Sequence, residues 1–261
     1  MYRFLLKPKW IALTVAVAAA MVAMVNLGLW QLRRLDERRT FNRTVSERIA
    51  ADPVDASAAL AGGADAAQWE WRPVTLTGTW VDHPPIEVVN RSVDGTQGRQ
   101  VLGALRTAEG RLVLVDRGFL PVTVAIAPPP GGTVTVTARV RRSEVRRTGQ
   151  TADDASAVLT QVRRVDVAVV GPQFGSDVAP VYLQALSSAP ADAAALSPMP
   201  LPALDDDGPH LSYAIQWFIF TICAGAGWWL AVRRSATPTD GRPRRGPPPI
   251  DEARSAIHSI P

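Results

Sequence analysis

Two apolar stretches constrain this chain more than any other feature. The first runs without a charge from Trp10 to Leu32, between Lys9 and Arg33; the second runs from Leu211 to Val232 and stops at Arg233-Arg234. A helix crossing a bilayer core needs about 20 predominantly apolar residues, so both read as membrane spans. A cleaved signal peptide suits the first stretch less well. Ala16-Val17-Ala18 offers small residues for cleavage, but the apolar run continues to Trp30, beyond the roughly 7–15 residues of a signal core.

Two spans put both termini on one side and residues from about Arg33 to Pro209 on the other. Basic residues near the spans favour the terminal side by a narrow margin, and long intervening segments translocate largely regardless of charge, so cytoplasmic termini are expected. The expected division is a cytoplasmic N-terminus (1–9), a transmembrane helix (10–32), an extracytoplasmic α+β domain (33–209), a second transmembrane helix (210–232) and a disordered cytoplasmic tail (233–261). The tail is rich in Pro, Arg and Gly and poor in large apolar residues.

Composition narrows the function classes. With 28 Lys+Arg against 24 Asp+Glu, the formal charge of +4 is too small to imply nucleic-acid binding. The single cysteine, Cys223, lies inside an apolar stretch, so one chain offers neither a disulfide framework nor a thiolate metal cluster.

Between the spans, Leu35, Phe41, Val45 and Ile49 recur among charges as in a helix continuing out of the membrane. After "AGGADAA" come short β-like runs: "WRPVTLTGTW", "PPIEVVN", "RQVLGALRT", "RLVLVDRGFLP", "GTVTVTARVRR" and "VYLQAL". Turn signals such as Asp94-Gly95, Glu109-Gly110 and Gly131-Gly132 separate them. Runs of this kind without regular helical punctuation predict an antiparallel sheet or small barrel. "SAVLTQVRRVDVAVVG" reads as one helix. The fold class is therefore α+β: two antiparallel transmembrane helices flanking an extracytoplasmic antiparallel β-rich domain with one or two helices.

No Gly-x-Ser-x-Gly elbow, phosphate loop, Gly-x-Gly-x-x-Gly or His-Glu-x-x-His pair occurs, so the sequence shows no reaction centre. His83 belongs to a turn and His258 to the tail. The sequons at Asn42 and Asn90 are short enough to arise by chance, and Asn90-Arg91 fits a strand end. What remains is the polar content of the spans, where such groups are costly. Asn26 and Gln216 fall at a shared depth about 10 Å below the outer boundary and can meet. Nearer the boundary stand Trp30 and Gln31 of the first span and His210, Tyr213 and Trp217 of the second. Two stripes of small residues, Ala12, Ala16, Ala20 and Gly28 against Thr221, Gly225, Gly227 and Ala231, allow close approach. Aromatic belts and interhelical glue account for such residues structurally. The chemical reading is that neutral His210 ligates a haem iron, with aromatic rings flanking the macrocycle and Arg33 or Arg34 facing its propionates.

Four stretches, in order, resemble the Surfeit locus protein 1 family of cytochrome c oxidase assembly factors. They are "LGLWQLRRLDER", with Gly28, Trp30, Gln31 and Arg34 at a Gly-x-Trp-Gln-x-x-Arg signature, "VNRS" (89–92), "VDRGFLP" (115–121) and "PHLSYAIQWF" (209–218). Asp116 and Phe119 stand where the family usually has Asn and Trp, Arg38 stands where Lys is usual, and "LGALR" (102–106) only loosely matches a Thr-Pro-Leu segment. The resemblance implies a non-enzymatic, multi-pass membrane protein that binds haem a and aids its insertion into oxidase subunit I, in contact with the haem a synthesis machinery. His210 matches the family's proposed iron ligand. The cofactor residues implied are His210, Tyr213, Trp217, Trp30, Gln31 and Arg34. The absence of an Arg- and Ser-rich presequence points to a bacterial plasma membrane. A cofactor-free scaffold that stabilises oxidase subunits is the competing class, and a membrane-anchored enzyme is a third. Arg117-Gly118 reads as a strand end.

Overall fold

The computed structural model describes residues 3–61, 64–153, 158–193 and 195–237. In chain order the elements are α1 (Pro8–Ile49), β1 (Val54–Asp55), α2 (Ser57–Leu60), α3 (Ala66–Trp69), β2 (Pro73–Trp80), β3 (Ile86–Val93), β4 (Thr96–Arg106), β5 (Leu112–Pro121), β6 (Thr133–Arg142), β7 (Gln161–Val162), α4 (Val167–Val170), β8 (Val178–Ala189) and α5 (His210–Ala236). They form two compact units, Met1–Leu35 with Pro209–Pro261 and Asp36–Gly208. The second apolar helix runs on to Ala236, four residues past its expected end; residues 238–261 of the expected tail, with His258, lie outside the described residues.

In the first unit, α1 and α5 are long and apolar enough to cross a membrane, and only 6% of the most apolar window of each is buried, so neither is the core helix of a globular fold. They run antiparallel. Thr14, Met21, Gly28 and Gln31 of α1 meet, in that order, Trp228, Gly225, Phe218 and His210 of α5. Contacts seven residues apart on α1 follow the seam of a left-handed helix pair. A Cβ on Gly28 would lie 2.8 Å from two carbons of the Phe218 ring, and one on Gly225 would lie 3.3 Å from the Met21 methyl. Of the expected small-residue stripes, Gly28 and Gly225 face the partner helix, and several others do not. Ala12, Ala16 and Ala20 are exposed, and Gly227 faces open space. Residues four apart drift around a helix by about 40° per step, whereas spacings alternating between three and four stay on one face.

The second unit is built on eight strands among the described residues, in the order β1-β2-β6-β8-β5-β4-β3-β7, with a further pairing between β2 and β4. That pairing, Thr79 with Arg106 and Trp80 with Leu105, closes β2, β6, β8, β5 and β4 into a ring. Closure removes the two inner edges that an open sheet would leave unpaired. Alternate residues point inward, and Val74, Leu76, Leu105, Val113, Val115, Val136, Val140, Val181 and Leu183 fill the barrel. A second apolar cluster, with Ile86, Leu102, Leu114, Val170 and Phe174, covers the outside of β4 and β5.

The sheet is antiparallel at most junctions but not all, which corrects the all-antiparallel expectation. β5 runs parallel to β8, β1 to β2 and β3 to β7. A long connection separates β6 from β8 in the chain, so β8 is free to enter between β6 and β5, antiparallel to the first and parallel to the second. That connection is not the expected single helix. Ser156 and Ala157 lie outside the described residues; beyond them the segment forms the two-residue β7 and the four-residue α4, whose first turn is capped by the Asp166 carboxylate accepting from the Ala168 amide at 3.2 Å. A run of β-branched valines around a side chain that competes for backbone amides does not sustain a long helix.

Of the four register shifts that interrupt the ladder among the described residues, two fall at motif residues. The registers of β3 and β4 shift between Val88 and Arg91, with Asn90 at φ +60°, and those of β4 and β5 shift between Leu102 and Gln100, opposite Arg117-Gly118. Both dipeptides expected at strand ends therefore sit inside strands as bulges, which re-aim the side chains beside them. Gly118 has φ +135°, and a Cβ there would lie 2.6 Å from the Ser197 carbonyl oxygen. That close approach carries a strap back across the unit. Phe119 and Ser197 exchange backbone hydrogen bonds of 2.7 and 3.0 Å, Arg139 donates to the Met199 carbonyl at 2.6 Å, Arg38 donates to Ala203 at 3.0 Å, and Arg39 pairs with Asp207 at 2.8 Å. Replacing Gly118 by Ala is expected to destabilise the protein by about 2–4 kcal/mol, through backbone strain and displacement of the strap, and to lower the thermal midpoint of the detergent-solubilised chain; an unchanged midpoint would show that the strap gives way freely.

Candidate functional site

The start of α5 is set locally. Gly208 at φ +72° turns the chain, and the Pro209 carbonyl accepts from the Tyr213 amide at 3.1 Å and from the Ser212 hydroxyl at 2.8 Å. His210 therefore occupies the first helical turn, half-buried, with its Nδ1 2.9 Å from Oε1 of Gln31 on α1. One turn on, Ala214 is 1% exposed and lets the helices close just below the imidazole.

Of the residues expected to form the site, the structure joins Gln31 to His210 directly. Trp30 and Tyr213 stand 47% and 48% exposed on the helix surfaces, and Arg34 is exposed one turn past Gln31. Trp217 packs edge-on against Phe220 of its own helix, with centroids 6.0 Å apart. The arrangement is an open aromatic face around a held imidazole, not an enclosed pocket. The expected meeting of Asn26 with Gln216 is not formed: Asn26 donates to the Val22 carbonyl of its own helix at 2.8 Å, Gln216 is exposed, and no hydrogen bond joins them among the described residues.

The second unit holds a buried polar line that sequence reasoning did not assemble. Asp116 is fully buried on β5. Its carboxylate accepts from Gln100 at 2.6 Å, from Gln184 at 3.3 Å and from the Gly118 amide at 3.0 Å. Gln100 in turn accepts from Arg91 at 2.7 Å, Arg91 pairs with Glu144 at 3.0 Å, and the Tyr182 hydroxyl donates to Glu144 at 3.4 Å. Burial pushes the Asp116 carboxyl up to about 6, against the lowering effect of the Gln184, Gly118 and Gln100 hydrogen bonds and of the Arg91 charge. Burial, with the Glu144 charge, likewise raises the Tyr182 phenol. Beside this line, Arg117 grips Asp192 through two nitrogens at 2.8 and 2.6 Å and donates to the Ala127 carbonyl at 3.0 Å.

Comparison with known proteins is decisive at the level of family. The model of the SURF1 family matches residues 18–222, most of the chain. The chain belongs to the SURF1 family. Uncharacterized SURF1-like proteins of Mycobacterium bovis and Mycobacterium tuberculosis are each 33% identical to it over 258 residues, covering 95% of this chain and 92% of theirs. A SURF1-like protein of Dictyostelium discoideum is 29% identical over 104 residues, 38% of either chain.

The motif residues of this SURF1 chain now have places. Gly28 and Gln31 of the first stretch meet Phe218 and His210 of the last. Arg91 of "VNRS" and Asp116 of "VDRGFLP" are joined through Gln100. Phe119 lies directly against Gly98, where a Cβ would overlap its ring. The motifs marked Arg91, Asp116 and Arg117, but nothing in sequence spacing marked Gln100, Glu144, Gln184 or Asp192, because their partners lie on other strands or on the strap.

The raised carboxyl makes a pH prediction. Between 3.8 and about 6, folded Asp116 holds its proton while the unfolded side chain has lost it, so the folded state binds more protons and stability falls as pH rises through that window. Asp116→Asn is expected to flatten this slope, while its amide NH2, set against a nitrogen donor from which the carboxylate accepts, lowers stability by on the order of 1–3 kcal/mol. Thermal melts of both proteins across the window test it; parallel profiles would mean that the burial penalty is relieved in another way.

Proposed function

We propose that this SURF1-family protein is a membrane-anchored, non-enzymatic assembly factor for haem-a-containing cytochrome c oxidase, which binds haem a through His210 near the outer membrane face and aids its insertion into subunit I. The observation that carries the reading is the half-buried His210 held against Gln31 at one end of an apolar antiparallel helix pair.

The surface of the helix pair supports membrane anchoring. Side chains such as Leu13, Val15, Val22, Ile215, Ile219 and Ile222 are exposed along α1 and α5, a surface that water does not favour and lipid does. Trp10, Trp228 and Trp229 lie toward one end of the pair, and Trp30, Tyr213 and Trp217 toward the other, as in the aromatic belts of a spanning protein. The proposed topology has both termini in the cytoplasm and residues 33–209 outside it, in a bacterial plasma membrane.

The residues present fit a haem. An axial imidazole needs one ring nitrogen unengaged, and among the described residues the Nε2 of His210 takes no hydrogen bond. Trp30, Tyr213 and Trp217 offer aromatic surface to a macrocycle, and Arg34 offers a cation for propionates. A haem held there would supply an iron centre and an extended apolar face; the chain's own residues hold the ring, orient it and shield one side. The open character of the site favours a second reading, in which the protein is a cofactor-free scaffold that stabilises oxidase subunits, and one experiment separates the two. Protein solubilised in detergent from cells making haem a is expected to show the haem a spectrum, and His210→Ala to lower the haem content by about tenfold or more. Equal haem content in both proteins would remove His210 as ligand. A wild-type protein without haem, with His210→Ala supporting full oxidase assembly, would establish the scaffold.

A further inference from the structure

The contact between Gln31 and His210 is chemically one-sided. A primary-amide oxygen has lone pairs and no proton, so with the Gln31 amide oriented as in the structure, its Oε1 2.9 Å from Nδ1, it is Nδ1 that carries the hydrogen. A neutral imidazole protonated at Nδ1 has its lone pair at Nε2, the nitrogen on the far side of the ring. Glutamine does not ionise, so it holds this form without placing a charge at the helix pair. Its backbone is held close to α5 by the neighbouring Gly28–Phe218 contact and by the buried Ala214.

We propose that Gln31 is a positioning residue that locks His210 in the Nδ1–H tautomer and so presents Nε2 as a bare lone pair. Nε2 then meets an electron-pair acceptor, either a metal centre or a hydrogen-bond donor; a ligand recognised by a hydrogen bond donated from Nε2 would require the opposite tautomer. The choice of haem a as that acceptor rests on the reading given above, whereas the tautomer is a property of the chain alone. Residues that hydrogen-bond the non-ligating nitrogen of a metal-binding histidine commonly set its ring orientation and tautomer, and here the partner is supplied from the other helix.

The test uses the full chain in detergent micelles with ¹⁵N-labelled histidine. The sequence has only His83, His210 and His258, so comparison with His210→Ala assigns the ring signals. At alkaline pH, where imidazoles are neutral, the nitrogen shifts of haem-free wild-type protein are expected to report Nδ1 protonated and Nε2 bare. Gln31→Leu is expected to move the ring toward the Nε2–H form, while Gln31→Glu, whose carboxylate also accepts, preserves Nδ1–H. In a haem a titration, Gln31→Leu is expected to weaken binding by about 10–100-fold and Gln31→Glu to retain it. An Nε2–H ring in the wild type, an unchanged tautomer in Gln31→Leu, or equal haem affinity in Gln31→Leu and wild type would each overturn the positioning role. If the tautomers behave as stated and no variant, wild type included, takes up haem a, the haem reading falls and the tautomer lock stands.

Discussion

A buried amide or carbonyl must find a hydrogen-bond partner, and each unit of this protein is organised by the way it meets that requirement. In α1 and α5 the backbone of the apolar stretch is satisfied inside its own helix, so the apolar side chains can remain exposed without leaving a backbone group unpaired. In the β unit, the pairing of Thr79-Trp80 with Leu105-Arg106 closes the ring of strands, so that the inner edges of β2 and β4 satisfy each other. Side-chain chemistry is laid over these two self-contained backbones.

On the helix pair, the important side chain is a missing one. Phe218 fills the space that a Cβ on Gly28 would need, and this close fit sets the register in which Gln31 lies against His210. A bulkier residue at position 28 would push the helices apart one turn from the imidazole. Glycine here acts through absence of volume and not through backbone freedom, since α1 is regular helix at this point.

In the β unit the bulges do comparable work. The irregularity at Asn90 lies beside Arg91, which reaches Gln100 and Glu144, and the one at Arg117-Gly118 sends Arg117 to Asp192 while leaving the Gly118 amide to bind Asp116. A fully buried carboxyl costs stability at neutral pH, and apolar replacements often pack as well as buried ionic groups, so the line from Asp116 to Tyr182 is better understood as fixing the strands and the strap in one arrangement than as strengthening them.

The sequence alone determined the parts that depend on composition and short-range pattern. Runs of apolar residues between charges define the two long helices, alternation and turn residues define β2 to β6 and β8, and Asp94-Gly95, with φ of +49° and +77°, makes the tight hairpin its dipeptide implies. Tertiary structure alone decided the parallel junction of β5 with β8, the breaking of the valine-rich segment into β7 and α4, which small residues of the apolar stretches face the partner helix, and which of the candidate residues touch. His210 and Gln31 are 179 positions apart and Arg117 and Asp192 are 75 apart. Local pattern records the periodicity of one element, whereas such contacts depend on the register between two, and a shift of a single residue would turn either partner to another face.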